Sequence, residues 1–278
     1  MTLEPILFED LVDRALREDL GAGDLTTAAL VPPELAGEAG LICRSGGVVA
    51  GLPVAACVFR RIDPRIELVA LTAEGELTRP GARLATVQGP VAGILKGERV
   101  ALNFLQRLSG IATVTHQAVQ AVAGHRARII DTRKTTPTLR LLERYAVRVG
   151  GGLNHRFDLG SMVLIKDNHL RVAGSVATAV RVVRSRLGPA VRVEVEVESP
   201  DQAEEAAAAG VDLIMLDNMD PAAMAEAMRR IAGRARVEAS GGIRLEDLPA
   251  IAATGVDFIS LGLLTARPPL LDISLEVG

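Results

Sequence analysis

From residue 127 onward the chain alternates two kinds of segment, and that alternation leaves few folds open to it. Apolar runs read as strands at Ala127–Ile130, Met162–Ile165, Val191–Val195, Leu213–Leu216, Arg236–Ala239 and Phe258–Leu261. Ala-rich segments such as Asp201–Ala209 and Pro221–Ala232 read as helices between them. A strand-then-helix unit recurring about every twenty to thirty-five residues is the pattern of parallel β/α architecture. Parallel strands need a crossover, and helices covering both faces let the strands be apolar throughout. The expected fold class is α/β.

The residues at the C-terminal end of each strand narrow the reading. Ile130 leads into Asp131-Thr132-Arg133-Lys134, and Ile165 into Lys166-Asp167-Asn168-His169. Glu196 ends the third strand, Asp217-Asn218 the fourth, Ser240-Gly241-Gly242 the fifth and Gly262 the sixth. In (β/α) barrels and open α/β sheets the C-terminal strand ends converge on one face, where sites are assembled. A scaffold has no use for a charge or a glycine at every such end, so the pattern points to an enzyme.

The first half has a different rhythm. Residues 6–19 carry apolar positions at helical spacing, and Gly21 to Asp24 end that helix. From Gly37 to about Gly93, the runs Gly40–Arg44, Gly47–Ala50, Ile66–Ala70 and Leu84–Val87 read as a mostly antiparallel sheet. Residues 97–123 read as a long helix, with a domain junction near residue 110.

Rare residues locate the chemistry. Of 31 basic residues only Lys96, Lys134 and Lys166 are lysines. In a chain that otherwise uses arginine, a retained lysine marks a need for a compact ammonium that a planar guanidinium cannot imitate. Between Arg126 and Arg171 basic residues outnumber acidic ones by six, in a chain whose net charge is −3. Part of that excess is a solvated helix face at Arg140 to Arg148. Arg133, Lys134, Arg156 and Lys166 instead sit at strand ends or in the loop Gly150-Gly-Gly-Leu-Asn-His-Arg156, which suits a small polyanion bearing carboxylates or phosphates. Glu196 and Asp217 face the same mouth as an acid/base pair, acceptors for sugar hydroxyls, or ligands of a Mg²⁺ that bridges phosphates. Ser240-Gly241-Gly242 and Gly262 offer backbone N–H groups from the last two strands, the usual phosphate grip of barrel enzymes.

Other classes fall away. The near-neutral charge balance and a chain with one Tyr, five Phe and no Trp argue against a nucleic-acid binder. The uncharged stretch Ser45 to Phe59 is too short and too broken to cross a bilayer, and the acidic N-terminus does not read as a secretory signal. Cys43 and Cys57 lack metal-ligand spacing and read as buried thiols in a reducing cytosol. His155 and His169 have no third His or Cys near them to complete a zinc site. No nucleophile elbow and no GxGxxG loop is present.

The clusters then acquire a family. Asp131-Thr-Arg-Lys-Thr-Thr-Pro137, Tyr145-Ala-Val147, Gly150 to Arg156, Leu164-Ile-Lys-Asp-Asn-His169, Val193-Glu-Val-Glu196, Leu216-Asp-Asn218 and Glu238-Ala-Ser-Gly-Gly-Ile243 closely resemble quinolinate phosphoribosyltransferases (nicotinate-nucleotide pyrophosphorylase, carboxylating). Ala15 to Thr26, Glu98 to Asn103 and Gly262 to Thr265 are similar to the same family, so the resemblance runs in order along essentially the whole chain. It implies an N-terminal α/β sandwich over residues 1–110, joined by the returning segment 268–278, and an incomplete (open) α/β barrel over residues 111–267. It implies Mg²⁺-dependent transfer of phosphoribosyl from 5-phosphoribosyl-1-pyrophosphate to quinolinate. The products are nicotinate mononucleotide, pyrophosphate and CO₂, on the de novo route to NAD in the cytoplasm.

By motif match, Arg133, Lys134, His155, Arg156 and Lys166 would bind quinolinate. Arg99 would reach across the interface of a homodimer, or of a larger assembly of dimers, into the neighbouring site. The phosphoribosyl donor would meet Lys134, Lys166, Asn168, His169, Glu196, Asp217, Ser240, Gly241, Gly242 and Gly262. Lys134, Lys166, Glu196 and Asp217 would be catalytic, with Glu196 and Asp217 also holding the metal. Three positions depart from the family pattern: Thr138 where Gly is usual, Gly160-Ser161 where an acid is common, and Ala266 where some members carry His or Gln. A β-branched Thr138 is costly if its φ is positive. Competing readings are a paralogue with the fold but another activity, a nicotinate-specific transferase, and a barrel isomerase or lyase acting on a sugar phosphate.

Overall fold

The computed structural model describes residues 3–278. Twelve strands are present among them. They are β1 (Ala36–Cys43), β2 (Gly47–Val48), β3 (Glu67–Ala70), β4 (Leu77–Thr78), β5 (Arg83–Pro90), β6 (Arg128–Ile130), β7 (Val163–Ile165), β8 (Val193–Val197), β9 (Leu213–Asp217), β10 (Arg236–Ser240), β11 (Phe258–Ser260) and β12 (Ile273–Val277). The chain divides into two compact units. One comprises the chain up to His116 with Thr135–Gly151 and Leu264–Gly278; the other comprises Gln117–Lys134 and Gly152–Leu263.

The first unit is built on an antiparallel sheet of order β12-β1-β5-β3. The helix Glu9–Leu20 starts with two acids in its first turn, where the helix dipole favours them, and buries Val12 and Leu16. The helix Val91–Ala121 begins six residues before the sequence pattern signals it, because Gly93 and Gly97 allow close packing: a Cβ on either would approach Ile66 or Phe59 within 3 Å. The sequence boundary near residue 110 assigned residues 135–151 to the barrel, but their packing is with the first unit. Glu143, fully buried on the helix Arg140–Val149, accepts from Arg107 Nε (2.9 Å) and the Thr136 N–H (3.1 Å).

The second unit is the expected α/β barrel, left open. Its six parallel strands hydrogen-bond in the order β6-β11-β10-β9-β8-β7, so β6 and β7 stand at the two edges and do not pair. Local chemistry sets the helix starts. Ser175, Ser199 and Asp220 accept from the backbone N–H three residues on, at 3.2, 3.3 and 2.8 Å, and Pro200 and Pro221 occupy first helical turns. Strand interiors such as Val193, Val195, Ile214, Leu216, Val237 and Ile259 are buried, as a sheet covered on both faces requires. Among the described residues no helix is long and apolar enough to cross a membrane. Cys43 and Cys57 are free and buried.

Candidate active site

A cavity of about 530 Å³ opens at the C-terminal ends of the barrel strands. Thr132, Arg133 and Lys134 line it after β6, His155 and Arg156 from the following loop, and Leu164 and Lys166 at β7. Glu196 enters from β8, Met215, Asp217 and Asn218 from β9, Glu238, Ser240, Gly241 and Gly242 from β10, and Ser260 from β11. Parallel register explains the convergence. Met215 pairs with Glu196 on one side and Glu238 on the other, and Asp217 with Ser240, so alternate residues of three strands face one space.

The polar groups are held firmly. Asp131, fully buried at the end of β6, accepts from Asn154 Nδ2 (2.6 Å) and the His155 N–H (2.8 Å), and so ties the end of the Gly-rich loop to β6. Arg156 Nη1 donates to the Met162 carbonyl (3.0 Å), which anchors the guanidinium at the cavity wall. Burial and the neighbouring Arg133 guanidinium hold Arg156 below its ordinary pKa, the mark of cations gathered where an anion is wanted. Lys166 Nζ donates to Glu196 Oε2 at 2.7 Å. Asp217 Oδ2 accepts from Asn218 Nδ2 at 2.8 Å. Gly241 and Gly242 have φ of +97° and +60°, which turn the chain sharply after β10. Neither N–H donates to another described group, which suits an anion-binding turn.

Beneath these lies a trio in which sequence reasoning gave a role only to its histidine. His155 Nε2 is 3.0 Å from Glu194 Oε2 and 3.4 Å from Glu238 Oε2, and both glutamates are fully buried. Glu194 Oε1 and both Glu238 oxygens have no hydrogen-bond partner. Burial by itself would lower the His155 pKa, but attraction to the two glutamates overturns that and raises it to about 10. The Arg156 backbone nitrogen lies 2.7 Å from His155 Nδ1, so it is Nε2 that faces the two carboxylates. Burial raises Glu194 while His155 pulls it down, so the additional proton belongs to the trio as a unit. The signal for these glutamates was available: an acid inside an otherwise apolar parallel strand points into a filled core and needs a reason.

The predicted residues Arg133, Lys134, His155, Arg156, Lys166, Glu196, Asp217, Ser240, Gly241 and Gly242 therefore meet in one cavity. Gly262 lies just outside the lining, where a Cβ would press on the Lys134 side chain at 3.0 Å. Asn168 and His169 are exposed on the helix Asp167–Ala173 and outside the lining; His169 Nδ1 accepts from the Lys166 N–H at 3.0 Å and serves as a helix cap. Arg99 is exposed on the long helix of the first unit. Glu194, Glu238, Asn218, Thr132 and Ser260 were not assigned from the sequence.

Known proteins share this sequence and fold. Residues 24–109 match the family profile of the quinolinate phosphoribosyl transferase N-terminal domain, and residues 111–276 that of the C-terminal domain. The chain is 44% identical over 275 residues to a probable nicotinate-nucleotide pyrophosphorylase [carboxylating] of Synechocystis, covering 98% of this chain and 93% of that protein. It is 42% identical over 282 residues to the human nicotinate-nucleotide pyrophosphorylase [carboxylating], covering 100% and 94%. The crystal structure of NadC from Streptococcus pyogenes superposes with a TM-score of 0.97 at 42% identity, covering 100% of this chain and 99% of that one. The chain belongs to the quinolinate phosphoribosyl transferase family.

Proposed function

We propose that the protein transfers phosphoribosyl from 5-phosphoribosyl-1-pyrophosphate to the ring nitrogen of quinolinate, with loss of the 2-carboxylate as CO₂, giving nicotinate mononucleotide and pyrophosphate for NAD synthesis. The observation that carries this reading is one cavity lined by Arg133, Arg156 and Lys166 together with Glu196, Asp217 and the Gly241-Gly242 turn. Two adjacent ring carboxylates call for several cations, and guanidinium forks match them in two-point fashion. Ribose hydroxyls call for carboxylate acceptors, and a 5′-phosphate calls for backbone N–H groups.

As pyrophosphate departs, positive charge grows on the ribose ring. Lys134 would meet the leaving oxygens, while Glu196 and Asp217 stabilise the positive centre, each such group contributing roughly 3 kcal/mol. Mg²⁺ fits Glu196 and Asp217, which offer the hard carboxylate oxygens that this ion takes beside phosphate oxygens, and when bound it would neutralise charge on the departing pyrophosphate. Loss of CO₂ leaves its electron pair on C2, stabilised by the adjacent quaternised ring nitrogen, and a proton from solvent then takes the place of the carboxylate. Arg133, Arg156 and Lys166 orient the ring for that step.

The active form in this reading is a homodimer, or an assembly of dimers, in which Arg99 of one subunit completes its neighbour's site. Free small-molecule substrates and the absence of any membrane-crossing helix among the described residues fit a cytoplasmic location. The test is incubation with quinolinate, phosphoribosyl pyrophosphate and Mg²⁺, followed by chromatography for nicotinate mononucleotide. Product from nicotinate in preference to quinolinate, or no product at all, overturns the proposal.

A further inference from the structure

We propose that Asn218 is a positioning residue which locks the Asp217 carboxylate to the glycine turn after β10, so that ribose and 5′-phosphate are gripped in one fixed register. It is one of three non-glycine residues with positive φ among the described residues, at +54°. Left-handed backbone is unfavourable for an L-residue, and Asn is among the few that tolerate it. Strain of this kind persists only where surroundings enforce it, and it clusters at sites that use it.

Here three contacts enforce it. The Asn218 N–H donates to the Ser240 carbonyl at 3.0 Å, joining the end of β9 to the end of β10. Its side-chain Nδ2 donates to Asp217 Oδ2 at 2.8 Å. Gly241 lies flat against it: a Cβ at Gly241 would collide with Asn218 Oδ1 and come within 2.7 Å of its backbone nitrogen. One residue therefore touches both groups that the functional reading gives to the phosphoribosyl donor, and it lines the cavity beside them.

Residue type follows from these demands. Glycine would accept the backbone angle but leave Asp217 free to rotate. Aspartate matches the shape but has no donor and sets a second carboxylate against Asp217. A longer amide would not fit against Gly241. Asparagine alone combines tolerance of the angle, a donor and short reach.

The inference rests on the functional reading for the identity of the ligand, and the experiment separates the two. Full-length wild type, Asn218→Gly and Asn218→Asp are compared by thermal melting, by calorimetric titration with quinolinate alone, and by steady-state kinetics in both substrates. Asn218→Gly should melt close to wild type and bind quinolinate within about twofold of wild type. Its KM for phosphoribosyl pyrophosphate should rise by about tenfold, the weight of one hydrogen bond to a charged group. Asn218→Asp should show a larger donor-specific defect. An active wild type with unchanged donor KM in both variants overturns the positioning role alone. Equal weakening toward both substrates together with a lower melting temperature assigns Asn218 to general structure and also overturns it. A wild type that neither binds nor turns over the donor overturns the functional reading, and this inference with it.

Discussion

At the N-terminal end of the barrel strands, Asp257 accepts from Arg126, from Arg236 Nη1 (2.9 Å) and from the Val237 N–H (2.9 Å). Nearby, Asp212 accepts from Arg184 Nη2 (2.6 Å) and the Val193 N–H (2.7 Å). At the C-terminal end of the same strands, Glu238 keeps both oxygens without a hydrogen-bond partner, while Arg133 and Arg156 crowd the same cavity. A cavity of similar size exists at each end, about 530 Å³ above and about 580 Å³ below. Size does not pick out the site. The difference lies in pairing: below, acids and arginines are matched and tied to backbone, whereas above, the Arg133 and Arg156 guanidiniums neighbour each other and the Gly241 and Gly242 N–H groups meet no described acceptor. Charge at the bottom of a barrel serves stability, and charge at the top serves chemistry.

The largest effects should divide along that line. Lys134→Ala and Arg156→Ala should each lower kcat/KM for quinolinate by about thousandfold, roughly 4 kcal/mol of transition-state stabilisation. The melting temperature should stay near wild type for Lys134→Ala, whose side chain is exposed, and fall only slightly for Arg156→Ala, which gives up one hydrogen bond to the Met162 carbonyl. Near-normal turnover in either variant breaks the comparison at its upper end. Asp257→Ala should do the converse. Removing an acid that is 4% exposed leaves the buried Val237 N–H without its acceptor and returns two exposed arginines to water, which costs about 2 kcal/mol of stability. Chemical denaturation measures that loss, and activity per folded molecule should be unchanged.

A middle-sized effect tests the trio. The folded-state pKa of His155 is raised from 6.5 to about 10. Its stabilising contribution is therefore complete below about pH 6.5 and is lost as pH climbs toward 10. Wild type should melt at lower temperature at pH 10 than at pH 7. Its affinity for quinolinate should weaken over the same interval by about tenfold, the size of one charge-assisted hydrogen bond. Glu194→Gln removes one of the carboxylates that raise the pKa, so both losses should move to lower pH. Identical profiles in wild type and variant would show that the trio does not govern them.

The same contrast explains what could be read from the sequence. Strand-then-helix rhythm fixed the α/β class, because period and turn residues are local properties of the chain. The cations and acids at strand ends were legible because parallel strands bring their C-terminal ends to one face whatever their order. The open edge was not legible from rhythm: β6 pairs with β11 rather than with β7, a choice made by packing between distant segments. Residues 135–151 escaped for a similar reason. Their helix looks like any other between two barrel strands, and the Arg107–Glu143 pair and the Tyr145–Glu74 hydrogen bond show where it packs. Glu194 and Glu238 stood out as acids inside apolar strands, but their partner, His155, comes from a distant loop, and only the fold brings the three together.

The smallest effect concerns the loop that carries the cations. Thr138 has φ of +69°, so a β-branched residue occupies left-handed backbone at the position where the resemblance led us to expect glycine. That conformation costs an L-residue roughly 1–2 kcal/mol, and more for a branched side chain. Thr138→Gly removes the penalty while adding about 0.5–1 kcal/mol of unfolded-state entropy. The expected balance is a gain of about 1 kcal/mol, or about 2–4 °C in melting temperature. Ala232, at +51° after the helix Pro221–Ile231, is the control: it is left-handed but unbranched, so Ala232→Gly should gain less. If the two substitutions stabilise equally, branching at residue 138 carries no cost and the loop has relaxed around it. If Thr138→Gly stabilises more and turnover stays level, the loop bears strain that the cationic side of the cavity does not use.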